Sequence, residues 1–325
     1  MPRYLVTGGA GFIGSHLSEA LIQQGALVRV LDNFSTGRHE NIAHLLDRME
    51  LIQGDVRSLD DLKAAMEGVD FVLHQAALPS VSRSIINPAI THEVNATGTL
   101  NVLLAAREAN VRRVVYASSS SVYGNSPVLP KREDLLPEPI SPYASAKLSG
   151  EHYCRAFHQV YGLETVCLRY FNVFGPRQDP NSDYSAAIPR FILRMLLGER
   201  PTIYGDGLQS RDFTYVSNVV QANLLATGVR CAAGGVFNVA CGKRYTLLHV
   251  IETLNCILGK TLEPAFSPPR SGDVRDSLAS IDRAVEVLGY RPQVVLRPGL
   301  EDTVRALSDM PPTAVPESEP GGMGC

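Results

Sequence analysis

The chain has 325 residues, room for one large domain or two moderate ones, with 45% hydrophobic and 19% charged residues. Thirty Lys+Arg against thirty-three Asp+Glu give a net charge of -3, without the basic excess a nucleic-acid binder carries. No apolar run reaches the roughly 18 residues of a membrane span, and Met1-Pro2-Arg3 leads straight into a strand-like segment. A soluble, cytoplasmic protein with neither membrane nor nucleic-acid partner is expected. The six cysteines (154, 167, 231, 241, 256 and 325) include no Cys-x-x-Cys pair, so free thiols are expected and no metal site.

Along the first half, short apolar runs alternate with helix-length amphipathic stretches. Tyr4–Val6, Leu27–Leu31, Leu51–Ile52, Phe71–Leu73, Val114–Tyr116 and Thr165–Tyr170 read as buried strands. Ser58 with Asp61 resembles a helix-opening capping box, and Gly25 a left-handed helix stop. Helices are expected from Pro88 to Asn110 and from Pro142 to Tyr161. Buried strands separated by helices indicate a parallel sheet covered on both faces. After Gly175 the alternation breaks down. Helices near 188–197, 218–227 and 247–258 mix with short strands such as 201–204 and 236–239, which suggests a smaller α+β region. The expected division is 1–175, 176–309 and a disordered tail at 310–325, whose Pro, Gly, Ser and Glu have little to bury.

Gly9, Gly11 and Gly14 satisfy G-x-G-x-x-G, and Gly8, Gly11 and Gly14 its spaced variant, between a strand and a helix start. That context suits a dinucleotide's pyrophosphate, and Asp32, closing the second strand, suits the adenosine ribose hydroxyls of NAD and repels a 2′-phosphate. Arg38, in the next loop, dissents from that preference. Asp55 and Val56 end the third strand where an adenine could lie. The small residues after the fourth, in His74-Gln75-Ala76-Ala77, serve close cofactor approach or close helix packing equally well.

The fifth strand runs into Ser118-Ser119-Ser120-Ser121-Val122-Tyr123-Gly124, and Ser141-Pro142-Tyr143 opens a helix on which Lys147 follows Tyr143 by one turn. With only five lysines in the chain (63, 131, 147, 243 and 260), Lys147 is not one of a solvated crowd. A nearby ammonium and an oxidised nicotinamide would draw a tyrosine down from about 10 toward neutrality, making Tyr143 a general base.

These features resemble the extended short-chain dehydrogenase/reductase family, in particular its nucleotide-sugar 4-epimerases, over nearly the whole chain to about Arg305. The resemblance implies a Rossmann-type doubly wound parallel sheet with a smaller α+β substrate-binding region. It implies NAD held by Gly8, Gly11, Phe12, Ile13, Gly14, Asp32, Asn33, Asp55, Val56, Gln75, Ala76, Ala77, Asn95, Tyr143 and Lys147. Ser119, four residues before Tyr123, Tyr143 and Lys147 match the family's catalytic set. Related dehydratases and decarboxylases usually carry acidic residues where this chain has Ser120 and Ser121, which favours epimerisation. Asn172 matches the family's diphosphate loop, Ala187 and Ile188 its uracil site, Arg211 and Arg270 its diphosphate arginines, and Asp273 its ribose contact. Ser277 matches a pocket position where a bulky Tyr would crowd a 2-N-acetyl group and Ser leaves room.

The implied reaction is 4-epimerisation of UDP-hexoses (UDP-GlcNAc/UDP-GalNAc and UDP-Glc/UDP-Gal) through a transient 4-keto sugar. UDP-glucuronate 4-epimerisation, with Arg177 or Arg83 facing the carboxylate, is the chief alternative. Decarboxylation, dehydration and a catalytically silent NAD-sensing protein stand behind it. The resemblance also implies a homodimer paired through the 88–110 and 142–161 helices.

Overall fold

The computed structural model describes residues 1–180, 186–269 and 274–309. The first half folds as β1 (Arg3–Thr7), α1 (Phe12–Gln23), β2 (Leu27–Asp32), β3 (Glu50–Gln53), α2 (Leu59–Met66), β4 (Phe71–His74), α3 (Val81–Ile86), α4 (Pro88–His92), α5 (Gly98–Glu108), β5 (Arg113–Ser119), α6 (Pro142–Tyr161) and β6 (Glu164–Tyr170). A π-helical segment, Glu93–Thr97, joins α4 to α5, so the expected 88–110 helix is one helix with a wide turn. Ser58 Oγ accepts from Asp61 N–H at the start of α2, and Gly25 takes the left-handed conformation after α1.

The second half adds β7 (Val173–Phe174), α7 (Ala187–Leu196), β8 (Thr202–Tyr204), β9 (Ser210–Asp212), β10 (Thr214–Tyr215), α8 (Val216–Gly228), β11 (Val236–Val239), β12 (Arg244–Thr246), α9 (Leu247–Leu258), β13 (Ala265–Ser267) and α10 (Leu296–Ser308). The main sheet has the order β11-β6-β5-β4-β1-β2-β3, every neighbouring pair parallel. This is the Rossmann-type arrangement expected. The order reverses beside β1, which pairs with β2 on one side and β4 on the other, and such switch points open a crevice at the strands' carboxyl ends.

Alternate residues of the apolar strands feed two cores. Val6, Val30, Val115 and Leu168 pack with Leu17 and Leu21 of α1 and Val219, Ala222 and Ala226 of α8. Leu5, Leu31, Val72 and Val114 pack with α2, α5 and α6 through Leu62, Leu103 and Phe157. A third core joins α7, α9 and α10 through Phe191, Ile251 and Leu300.

One expected strand lies elsewhere. Val236–Val239 is not part of the smaller region: it pairs with β6, Val236 opposite Cys167 and Val239 opposite Tyr170, and forms the edge of the main sheet. Helix α8 likewise covers a face of that sheet. Five of the cysteines are free thiols, and no cluster of metal-ligating side chains occurs among the described residues. None of the described helices is long and apolar enough to cross a membrane.

Candidate active site

A cleft of about 820 Å³ opens at the switch point. Gly8 has φ +68° and stands so near β4's end that an added Cβ would lie 2.7 Å from the Ala76 nitrogen. At Gly14 a Cβ would lie 2.1 Å from the Gly8 carbonyl oxygen. At Gly11 it would meet only one atom, that same oxygen at 3.1 Å, so a side chain there would stand in the cleft that Gly11 lines. Gly11 caps α1 with no side-chain hydrogen bond, leaving the first-turn amides for an anion. The loop fits a pyrophosphate on these grounds.

Asp32 is buried. Its Oδ2 accepts from Ala10 N–H at 2.9 Å and its Oδ1 from Phe34 N–H at 2.8 Å. Burial pushes this carboxyl above its usual range, against the two amides. Each oxygen keeps a second acceptor position, enough for two ribose hydroxyls. Asn33 donates to Asp55 Oδ2 at 2.8 Å, and the Arg57 guanidinium on Asp55 holds that carboxyl down to about 2. Phe12, Ile13, Val56, Gln75, Ala76 and Ala77 also line the cleft.

Asn95 does not. It is buried behind the wall, with Oδ1 accepting from Leu78 N–H (2.8 Å) and Nδ2 donating to Leu78 C=O (3.1 Å). Its amide thus ties the loop after β4 to the Glu93–Thr97 turn. His74 supports the same wall from between Thr7 and Thr99, and burial, pushing it down to about 3, keeps it neutral.

At the cleft's inner end β5 delivers Ser119. Its Oγ accepts from Ser121 N–H (3.2 Å) and Ser121 Oγ (2.9 Å), and Ser119 and Tyr143 line the same cleft. Ser141 Oγ caps α6 at Ala144 N–H, with Pro142 opening the first turn, so Tyr143, Lys147 and Glu151 form one buried stripe facing β5. Lys147 Nζ donates to Ala117 C=O at 2.9 Å and lies 5.2 Å from the centre of the Tyr116 ring. Ser118 Oγ donates to Glu151, which Arg169 grips through Nε (2.9 Å) and Nη2 (2.7 Å).

Burial lowers Lys147 from 10.5 to about 7 and raises Tyr143 above its ordinary value, the Ser119 hydroxyl opposing. The expected lowering of Tyr143 is therefore absent in the protein alone, where burial of its own hydroxyl is the largest influence. Between about pH 7 and 10.5 the unfolded chain binds a proton at Lys147 that the folded chain releases. Stability should thus rise across that window by up to about 1.4 kcal/mol per pH unit, with no slope from this group below it. A Lys147→Met variant should lose that slope in Tm measured without cofactor from about pH 6.5 to about 9.5. Equal slopes would refute the assignment.

A second cleft, about 260 Å³, shares Asn172, Val173 and Ala186 with the first and is lined by Ala187, Ile188 and Arg211. Arg211 Nη1 donates to the carbonyls of Ser210 (3.0 Å) and Arg275 (2.7 Å). Asn172 sits at the junction, its Nδ2 donating to Asp212 C=O (3.1 Å) and Ser277 Oγ (3.4 Å). Ser277 lines neither cleft but is hydrogen-bonded to Asn172, which lines both. Arg270 and Asp273 lie outside the described residues. The larger cleft, lined by Ser119, Tyr143 and Lys147, thus meets a smaller pocket at Asn172, Val173 and Ala186.

The profile of the NAD dependent epimerase/dehydratase family matches residues 4–240. The chain belongs to that family. A UDP-glucose 4-epimerase of Mycolicibacterium smegmatis is 40% identical over 307 residues, 93% of this chain and 97% of the relative. The solved UDP-N-acetylglucosamine 4-epimerase of Methanobrevibacter ruminantium, in complex with UDP-N-acetylmuramic acid, superposes with a TM-score of 0.91 at 40% identity, over 95% of this chain and 99% of that one. The Thermus thermophilus UDP-glucose 4-epimerase, in complex with NAD, gives 0.86 at 37% identity, over 94% and 99%.

Within this family member, several cleft residues carried no sequence signal. Tyr170 reads as the end of a strand, yet its hydroxyl meets Gln75 (3.2 Å) and Asn223 (2.8 Å) beside the cleft. Gln178 and Asp179 line the cleft from a polar loop, next to the Arg177 named above. Arg177 pairs with Glu19 on α1.

Proposed function

We propose that the protein is a UDP-hexose 4-epimerase acting on UDP-GlcNAc/UDP-GalNAc and UDP-Glc/UDP-Gal, with NAD retained through turnover. The observation that carries this reading is one cleft lined by Ser119, Tyr143 and Lys147 together with the glycine loop and Asp32, adjoining a second pocket at Asn172. Tyr143 accepts the proton of the sugar 4-hydroxyl and later returns it, while Ser119 hydrogen-bonds the same oxygen. Lys147 orients the nicotinamide end of the cofactor. NAD, when bound, supplies the hydride acceptor and gives the hydride back. Ser120 and Ser121 offer no carboxylate to move a second proton, which favours epimerisation over loss of a group.

Asn172 and Arg211 anchor the diphosphate, and Ala187 and Ile188 the uracil. The assignment of Arg270 to the diphosphate and Asp273 to the ribose rests on the family resemblance. A guanidinium suits this task because its planar fork binds phosphate oxygens in pairs. Small Ser277 beside Asn172 favours tolerance of an N-acetyl group. Arg177, already paired with Glu19, weighs against a glucuronate carboxylate in its place. In this reading residues 1–175 hold the cofactor and 176–309 the sugar nucleotide. Two copies pair through α4–α5 and α6, whose Tyr153, Val160 and Tyr161 are exposed. The cytoplasm is the proposed compartment.

NMR of the products after incubation with UDP-Glc, UDP-GlcNAc and UDP-GlcA in turn tests the proposal. C4 epimers of the first two are expected, without net NADH. Accumulating NADH, or conversion of UDP-GlcA alone, would overturn it.

A further inference from the structure

Arg38 opposes Asp32 in chemistry. An arginine beside the ribose-binding carboxylate is the residue type that receives an adenosine 2′-phosphate. Its place is fixed: Arg38 N–H donates to Ala10 C=O in the glycine loop at 3.0 Å. The preceding Gly37 is so close to Asp32 that an added Cβ would lie 2.8 Å from Oδ1. Yet the Arg38 guanidinium lies on the carboxylate of Asp179, Nη2 to Oδ2 2.6 Å, and both residues line the cofactor cleft.

Asp179 comes from the loop after β7, which is tied to the cofactor half at two further points. His16 Nε2–H donates to Pro176 C=O at 3.0 Å, and burial, pushing His16 down to about 4, keeps that ring neutral. Arg177 is paired with Glu19. The loop that carries Asp179 is therefore anchored where its carboxylate reaches Arg38.

We propose that Asp179 is a cofactor-specificity residue: by engaging Arg38 it takes up the cation that a 2′-phosphate needs, so that NADP is refused by Asp32 and again by the Arg38–Asp179 pair. A 2′-phosphate would have to displace a carboxylate from Arg38 and leave that carboxylate beside its own charge. The inference rests on the NAD reading above.

The experiment is titration of NAD⁺ and NADP⁺ into the cofactor-stripped full-length protein, comparing wild type, Asp179→Asn and the Asp179→Asn/Arg38→Ala double variant. Asp179→Asn should tighten NADP⁺ by about tenfold, the scale of one charge-assisted hydrogen bond, with NAD⁺ changed less than about twofold. The double variant should lose the gain, because Arg38 delivers it. An unchanged NADP⁺ affinity in Asp179→Asn, or a gain that survives the loss of Arg38, would overturn the proposal. Failure of the wild type to bind NAD⁺ would instead overturn the reading on which it rests.

Discussion

Tyr143→Phe is expected to lower kcat for UDP-glucose epimerisation by about 10²- to 10⁴-fold, the usual worth of a positioned general base, with KM nearly unchanged. The substitution removes one oxygen from a buried ring that is otherwise held in place by the first turns of α6. Ser119 keeps two donors from Ser121, so its own position should survive. Progress curves with UDP-glucose, alongside the melting temperature, separate loss of the base from loss of fold. Turnover within about threefold of wild type would move the base elsewhere.

The second large effect is on stability. Glu151 and Arg169 are both buried, joined by two hydrogen bonds, and Ser118 completes the carboxylate's set. The Arg169 guanidinium also lies 4.7 Å from the centre of the Tyr123 ring. Removing one partner leaves a buried charge without compensation, so Glu151→Ala should cost about 3–5 kcal/mol and lower Tm on the order of 10 °C. Replacing both, as Glu151→Leu with Arg169→Met, should recover most of that loss, because the paired charges gain little over a packed apolar pair. Thermal unfolding of the two variants checks this. A single variant within about 1 kcal/mol of wild type would show that water reaches Arg169.

Where the sequence was legible, function had imposed a local pattern. The glycine loop, Asp32 and the Tyr143/Lys147 spacing each combine residue type with position on an element, and the structure brings them to one cleft. The strands of the first half were visible because strands buried on both faces need uninterrupted apolar runs. Val236–Val239 shows the opposite case. Three apolar residues and Asn238 carry no mark of which sheet they join, and their partner strand is some 70 residues back. The two bonds of Asn95 to Leu78 left no mark in the sequence, because an amide suited to a ligand suits a backbone loop equally well. Asp179 is one polar residue in a polar loop until the fold sets it against Arg38.

The placement of β11 constrains how the molecule could be recombined. A chimaera cut near residue 175 would take β6 from one parent and β11, with α8, from the other. Their shared seam buries Leu168, Tyr170, Val219, Ala222, Phe237 and Val239 in one core. Grafting a foreign sugar-binding half onto this cofactor half therefore means leaving β11 and α8 with the parent of β6. The transferable pieces are smaller: the loop and α7 from about 175 to 215, and the chain beyond Val239 apart from Ala284, Leu288 and Tyr290, which share that core.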